Sequence, residues 1–134
     1  MAKEFTLGKN ERLKSRKQIE QLFKSGQRFV CPPFRIFYFL SICKQSSDIS
    51  SLQAGFGASS RNFKTAADRN RIKRLAREAY RLQKNVLQDI LKKQNRKLNI
   101  FFIYTGKALP LYPDVYNSIN KALVKLLDIN TKKV

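Results

Sequence analysis

The stretch "DRNRIKRLAREAYRLQK", Asp68 to Lys84, carries Arg69, Arg71, Lys73, Arg74, Arg77, Arg81 and Lys84 against only Asp68 and Glu78. Wound as a helix at roughly 100° per residue, it gathers Ile72, Leu75, Ala76, Ala79 and Leu82 on one side, and Val86 extends that side. Asn70, Lys73, Arg74, Arg77, Arg81 and Lys84 gather on the other, within an arc of roughly 100° that holds no carboxylate. Arg69 and Arg71 flank the arc. A solvated helix face normally mixes signs, because opposite charges at i, i+4 stabilise and like charges at that spacing destabilise. Lys73 with Arg77, and Arg77 with Arg81, stack without such relief. The pattern fits a surface neutralised by an external polyanion, and its excess of Arg suits forked contacts to phosphate oxygens. A membrane surface is the rival partner of any basic amphipathic helix. The apolar side here is small and lacks a Phe or Trp anchor, so phosphate is the better match.

The whole chain leans the same way. Its 134 residues hold 28 Lys and Arg against 9 Asp and Glu, a net charge of +19. Such an excess repels itself in a compact state and is better explained by an anionic partner. A hydrophobic content of 43% nevertheless supports a packed core, and the length fits a single domain over 1–134. Loose ends are expected over about 1–10 and 130–134. The chain contains no His, which removes the commonest general base and every Ser-His or Cys-His nucleophile. Glu4, Glu11, Glu20, Asp48, Asp68, Glu78, Asp89, Asp114 and Asp128 are scattered, with no paired motif for metal ions. Cys31 and Cys43 cannot alone complete a zinc site and read as reduced thiols. No protein-borne catalytic residue and no protein-bound metal is therefore expected. With no signal peptide and no apolar run of transmembrane length, a soluble cytoplasmic protein is the default.

The elements that must position the basic helix follow from periodicity. Ser15–Ser25 reads as a helix, capped by Ser15 with Gln18 three residues later, and Ile19, Leu22 and Phe23 share one face. "RFVCPPFRIFYFLSI" is extended, with Pro32 and Pro33 interrupting it so that pairing restarts at Phe34. Phe34, Ile36, Tyr38, Leu40 and Ile42 make a core face. Arg35, Phe37, Phe39 and Ser41 make the other, an unusual mixture of a cation and aromatics. Residues 46–51 read as a hairpin connection, and Leu52–Ser60 as a strand weakened by Gly55 and Gly57. Thr65 with Asp68 signals a helix from Ala66 to about Lys92. Lys97–Thr105 is a buried strand, and Pro113 with Asp114 opens a last amphipathic helix. The sum is an α+β sandwich with helices packed on a sheet.

"AADRNRIKRLAREAYR", Ala66–Arg81, closely resembles the signature of the bacterial ribonuclease P protein family. "KNERLKSRKQIEQLFKSGQRF", "FRIFYFL", "QAGFGAS" and "NIFFIYTGKA" are similar, in order, to that family's first helix, aromatic strand, pre-signature strand and last strand. The resemblance covers roughly residues 5–128. It implies the order α-β-β-β-α-β-α, a mixed sheet, and a left-handed β-α-β crossover around the signature helix, as in the second domain of a small-subunit ribosomal protein. General rules would have made that crossover right-handed.

The resemblance also implies an activity. Ribonuclease P removes the 5′ leader of precursor tRNA, an endoribonuclease reaction carried by an RNA subunit with bound Mg2+. Its protein, one monomer per catalytic RNA, docks on that RNA and holds the leader. By matched position, Arg69, Asn70, Arg71, Lys73, Arg74, Arg77 and Arg81 are the expected contacts to the catalytic RNA. Ile19, Phe23, Phe34, Arg35 and Phe37 are expected to line the leader cleft. Ile19 stands where the family often has an aromatic, and Phe39 is divided between base stacking and packing under a helix. Arg61, Lys64 and Lys84 are secondary candidates, the first two in place of a lysine pair and glycine common before the signature. Aromatics beside cations suit single-stranded RNA, since every base has a face to stack. The alternatives are a stand-alone RNA-binding protein of ribosomal type and, with no helix-turn-helix spacing in its favour, a DNA-binding module.

Overall fold

The computed structural model describes residues 12–13, 16–42, 52–94 and 96–132, the side chains of residues 42 and 130–132 excepted. In chain order the elements are α1 (Arg16–Ser25), β1 (Gln27–Cys31), β2 (Phe34–Ile42), β3 (Leu52–Ala58), α2 (Ala66–Gln83), α3 (Asn85–Lys93), β4 (Arg96–Tyr104) and α4 (Tyr112–Lys132). The expected cap at Ser15, the connection at 46–51, Cys43 and residues 1–10 lie outside the described residues.

The sheet runs β1-β2-β4-β3. β1 and β4 flank β2 antiparallel, while β3 lies parallel to β4. Parallel neighbours require a long crossover, and α2 with α3 supplies it. Pro32 and Pro33, joined by a cis peptide bond, form the turn of a tight hairpin in which Cys31 pairs with Phe34. The strand before the prolines is thus a full member of the sheet. Its edge position tolerates the interruption.

Alternation decides the two faces. On one, Phe34, Ile36 and Tyr38 of β2 join Leu52 and Ala54 of β3 and Leu98, Ile100, Phe102 and Tyr104 of β4, all buried. Ile72, Ala76, Ala79 and Tyr80 of α2 and Val115, Ile119, Ala122 and Leu126 of α4 close over them. Small Ala76 and Ala79 let α2 approach the sheet, while Tyr80 meets Phe102 and Phe56 at ring-centroid distances of 5.8 and 5.5 Å. On the opposite face, α1 is the helix present among the described residues, with Leu22, Leu13 and Phe37 forming a second, smaller core. The main two layers are therefore the sheet and α2–α4, and α1 crosses the sheet's other side.

One expected helix is two. The chain from Ala66 breaks at Lys84, between α2 and α3, although Lys84 keeps helical dihedrals. Gln83 lies at the break and donates its side-chain amide to Ala79 O and to Tyr116 O of α4, both at 3.1 Å. A side chain competing for a ladder carbonyl is a known cause of a kink.

Gly55 and Gly57 do not mark a weak strand. The ring of Phe101, the β4 partner of Gly55, lies over both glycines. A Cβ on Gly55 would come within 2.7 Å of that ring, and one on Gly57 within 3.1 Å. Gly55→Ala is expected to lower unfolding stability by about 1–3 kcal/mol through overpacking. Denaturant titration against wild type checks this, and an unchanged midpoint would contradict the close approach.

Candidate nucleic-acid interface

Thr65 starts α2, as its spacing to Asp68 predicted. Its hydroxyl accepts from Asp68 N at 3.3 Å, relieving an otherwise unpaired amide of the first turn. With Ile72, Ala76 and Ala79 committed to the core, the far side of the helix is forced outward. Asn70, Arg71, Arg74 and Arg77 are exposed and Lys73 is half-buried. Among the described residues, none of these four cations enters a salt bridge.

The remaining signature cations depart from expectation. Arg69 is half-buried and donates through Nη1 to Phe63 O at 2.7 Å, bracing the loop that leads into the helix. Arg81 is paired with Glu78, donating from Nε to Oε2 at 3.1 Å and from Nη2 to Oε1. That guanidinium holds the Glu78 carboxyl below its usual range. Residues three apart on a helix face one another, so a carboxylate placed beside the arc still captured its last arginine. Lys84 is only 2% exposed and donates to Gln88 Oε1 at 3.3 Å, which removes it from any RNA-facing surface. The presented set is the middle of the helix.

On the open face of the sheet, pairing registers place side chains in rows. Arg28, Phe37, Phe101 and Gly55 form one row across β1, β2, β4 and β3. Arg35, Ile103 and Gly57 form the next on one side, and Phe39, Asn99 and Gln53 on the other. Phe23 of α1 sits on the central row, 4.8 Å from Phe37 and 5.3 Å, edge-on, from Phe101. Phe37 is consequently 7% exposed, whereas Phe23 is 39% exposed and Phe39 46%. Phe23 presents the ring surface, and Phe37 supports it from beneath rather than offering a face of its own. Phe34 is corrected outright. At 1% exposed it belongs to the opposite, helix-covered face against Tyr104, because one residue's step along a strand reverses the side chain.

Arg35 and Arg28 are exposed beside this aromatic row, and Arg61 and Lys64 are exposed on the loop between β3 and α2. Asn62 of that loop donates to Thr105 O and Gly106 O, each at 3.2 Å, tying it to the end of β4. The sequence reading missed Arg28, Phe101 and Arg12. Arg28 and Phe101 become visible only through strand register, and Arg12 through an isolated bridge that sets it beside Ala54 on the β3 edge.

That edge is where the two surfaces meet. A groove of about 380 Å³ is lined by Arg12, Ile19 and Phe101 from the open-face side and by Lys73 and Arg77 from α2. Comparison with known proteins gives this arrangement a context. The family model Ribonuclease P matches residues 7–127. The chain belongs to the ribonuclease P protein family. The ribonuclease P protein component of Porphyromonas gingivalis is 35% identical over 122 residues, which cover 91% of this chain and 87% of that protein. That of Borrelia hermsii is 29% identical over 123 residues, covering 91% and 96%. In fold, the chain matches the Staphylococcus aureus RNase P protein with a TM-score of 0.59 at 19% identity, covering 87% of this chain and 94% of that one.

The separation of presented from tied-down cations has a measurable consequence. Arg69→Ala is expected to lower unfolding stability by about 1–2 kcal/mol, since a charged donor leaves a backbone carbonyl. Arg74→Ala, on the exposed arc, is expected to stay within about 0.5 kcal/mol of wild type. Paired denaturant titrations distinguish them, and equal losses would contradict the division.

Proposed function

We propose that this chain is the protein subunit of ribonuclease P and assists 5′ maturation of precursor tRNA. Arg71, Lys73, Arg74 and Arg77, with Asn70, dock on the catalytic RNA. Phe23, supported by Phe37 and flanked by Arg35 and Arg28, holds the single-stranded leader, with Ile19 at the margin and Arg61 and Lys64 at the end of the sheet. The observation that carries this reading is the carboxylate-free cationic middle of α2 lying around the β3 edge from an open sheet face with an exposed aromatic. A ribosomal-type protein accounts for the first surface, but not for the second beside it.

Hydrolysis in this reading belongs to the RNA. Among the described residues, the polar side chains lining the groove between the two surfaces are Arg12, Lys73 and Arg77, with no carboxylate, a donor set that does not suit Mg2+. The ion is assigned to the RNA subunit. The protein contributes binding and orientation, which convert encounter into a positioned complex. One protein per catalytic RNA and a cytoplasmic location complete the proposal. Among the described residues, no helix is long and apolar enough to cross a membrane.

Reconstitution tests the whole. Purified protein mixed with the host's ribonuclease P RNA and precursor tRNA at low Mg2+ is expected to yield 5′ processing that neither component achieves alone. Arg74→Ala and Arg77→Ala are each expected to weaken RNA binding and to reduce the salt slope of the affinity by about one. A flat salt response would defeat the electrostatic part. Phe23→Ala is expected to cost about 1–2 kcal/mol in binding precursor tRNA, the scale of one stacking contact, and little for mature tRNA. Equal losses for both substrates would remove the leader from this face.

A further inference from the structure

The cationic middle of α2 ends at a carboxylate. Glu78 follows Arg77 in the chain, one helical turn beyond Arg74, and its side chain is 46% exposed. Helical spacing puts both Arg74 and Arg81 within its reach. It holds Arg81, which donates from Nε at 3.1 Å and also from Nη2. Past Glu78 the surface changes character. Burial first, then the nearby Glu78 carboxylate, push the Tyr112 hydroxyl up, which sets the first residue of α4 beside the pair. Leu111, next to it, is 70% exposed and Leu82 of α2 is 40% exposed. Further along, Val86 of α3 and Val124 of α4 border a shallow cleft whose described lining holds no Lys or Arg. On the other flank of α2, Lys73 and Arg77 turn toward the groove they share with Arg12. Over its second half, the helix therefore shows cations on one flank, and a carboxylate with apolar side chains on the other.

We propose that Glu78 is a specificity-determining residue: it ends the phosphate-binding surface of α2 on the α4 side and weakens the binding of RNA that lies across that boundary. The inference rests on the RNA-binding reading above and goes beyond it, since it gives a role to a residue that makes no favourable contact with RNA. A phosphate drawn to Arg81 has to displace Glu78 from it. The displaced carboxylate then stands unpaired within a Debye length of that phosphate, about 8 Å at physiological salt. The exposed pair itself contributes little, but the repulsion remains. A chain of net charge +19 attracts any polyanion, whatever its sequence. A like charge at the rim of an interface suppresses partners whose backbone runs in the wrong place. RNA seated on the Lys73 and Arg77 flank escapes this penalty, and RNA docked at random does not.

Glu78→Gln removes the charge and keeps the shape. The full-length variant and wild type are titrated, over a range of salt concentrations, with the host's ribonuclease P RNA and with an unrelated structured RNA of the same length. Glu78→Gln is expected to tighten the unrelated RNA roughly 2- to 5-fold, the scale of one exposed charge pair. It is also expected to steepen the salt dependence of that affinity by about one. Ribonuclease P RNA is expected to change less, so the preference for it falls. Arg81→Ala is expected to leave both affinities near wild type in the native background and to abolish the gain in the Glu78→Gln background. A purely structural Glu78 would give a variant that binds both RNAs more weakly and loses helix signal in circular dichroism. That result, no change in either affinity, or an equal gain for both RNAs would overturn the proposal. So would a loss from Arg81→Ala alone as large as that from Arg74→Ala, because Arg81 would then already be a contact. Failure of the wild-type protein to prefer ribonuclease P RNA over the unrelated RNA would defeat the underlying functional reading instead.

Discussion

Both surfaces depend on the pairing of β4 with its neighbours. Leu98, Ile100, Phe102 and Tyr104 point from this strand into the main core, while Asn99, Phe101 and Ile103 point to the open face. Each large apolar side chain fully buried on the core side contributes on the order of 1.5–3 kcal/mol. Because β4 is parallel to β3, the chain must cross over between them, and α2 is the segment that crosses. The same strand therefore supplies the floor of the aromatic face and dictates where the basic helix lies.

Once α2 is seated, charge has little freedom. Ile72, Ala76, Ala79 and Tyr80 are 0–1% exposed, so the polar arc cannot rotate inward without exposing them. The ends of the arc are then used structurally: Arg69 braces the entering loop and Arg81 ties down Glu78. The middle is left without a described ionic partner. Self-repulsion of these cations opposes folding in isolation and favours any state in which phosphates neutralise them. This makes α2 a structural element whose outer chemistry suits a polyanion better than water.

The open face follows a similar logic with rings in place of charges. Phe101 lies flat over Gly55 and Gly57, and Phe23 meets its edge. Two glycines, costly to strand propensity, are what allow the ring of Phe101 to lie close against the sheet on this side. α1 covers part of this face and leaves Phe23 and Phe39 partly open. A thin, partly covered aromatic face flanked by Arg28 and Arg35 is compatible with stacking of an unpaired strand.

Much of this was legible in the residues. The period of Ile72, Ala76 and Ala79 determined which side of the signature helix is buried, and Thr65 with Asp68 located its start. The alternation of β2 determined both faces of that strand, which already placed Phe34 with the core and against its role in the cleft. Other features were decided by tertiary contact. The break at Lys84 accompanies a hydrogen bond from Gln83 to Tyr116 O in another helix. The covering of Phe37 required Phe23 to arrive from α1, and the recruitment of Arg12, Arg28 and Phe101 required strand registers that no local period encodes. Periodicity is a property of a segment with itself, so sequence alone determined which way each segment faces. Which segments then share a surface depends on long-range pairing, and only the folded chain decided that.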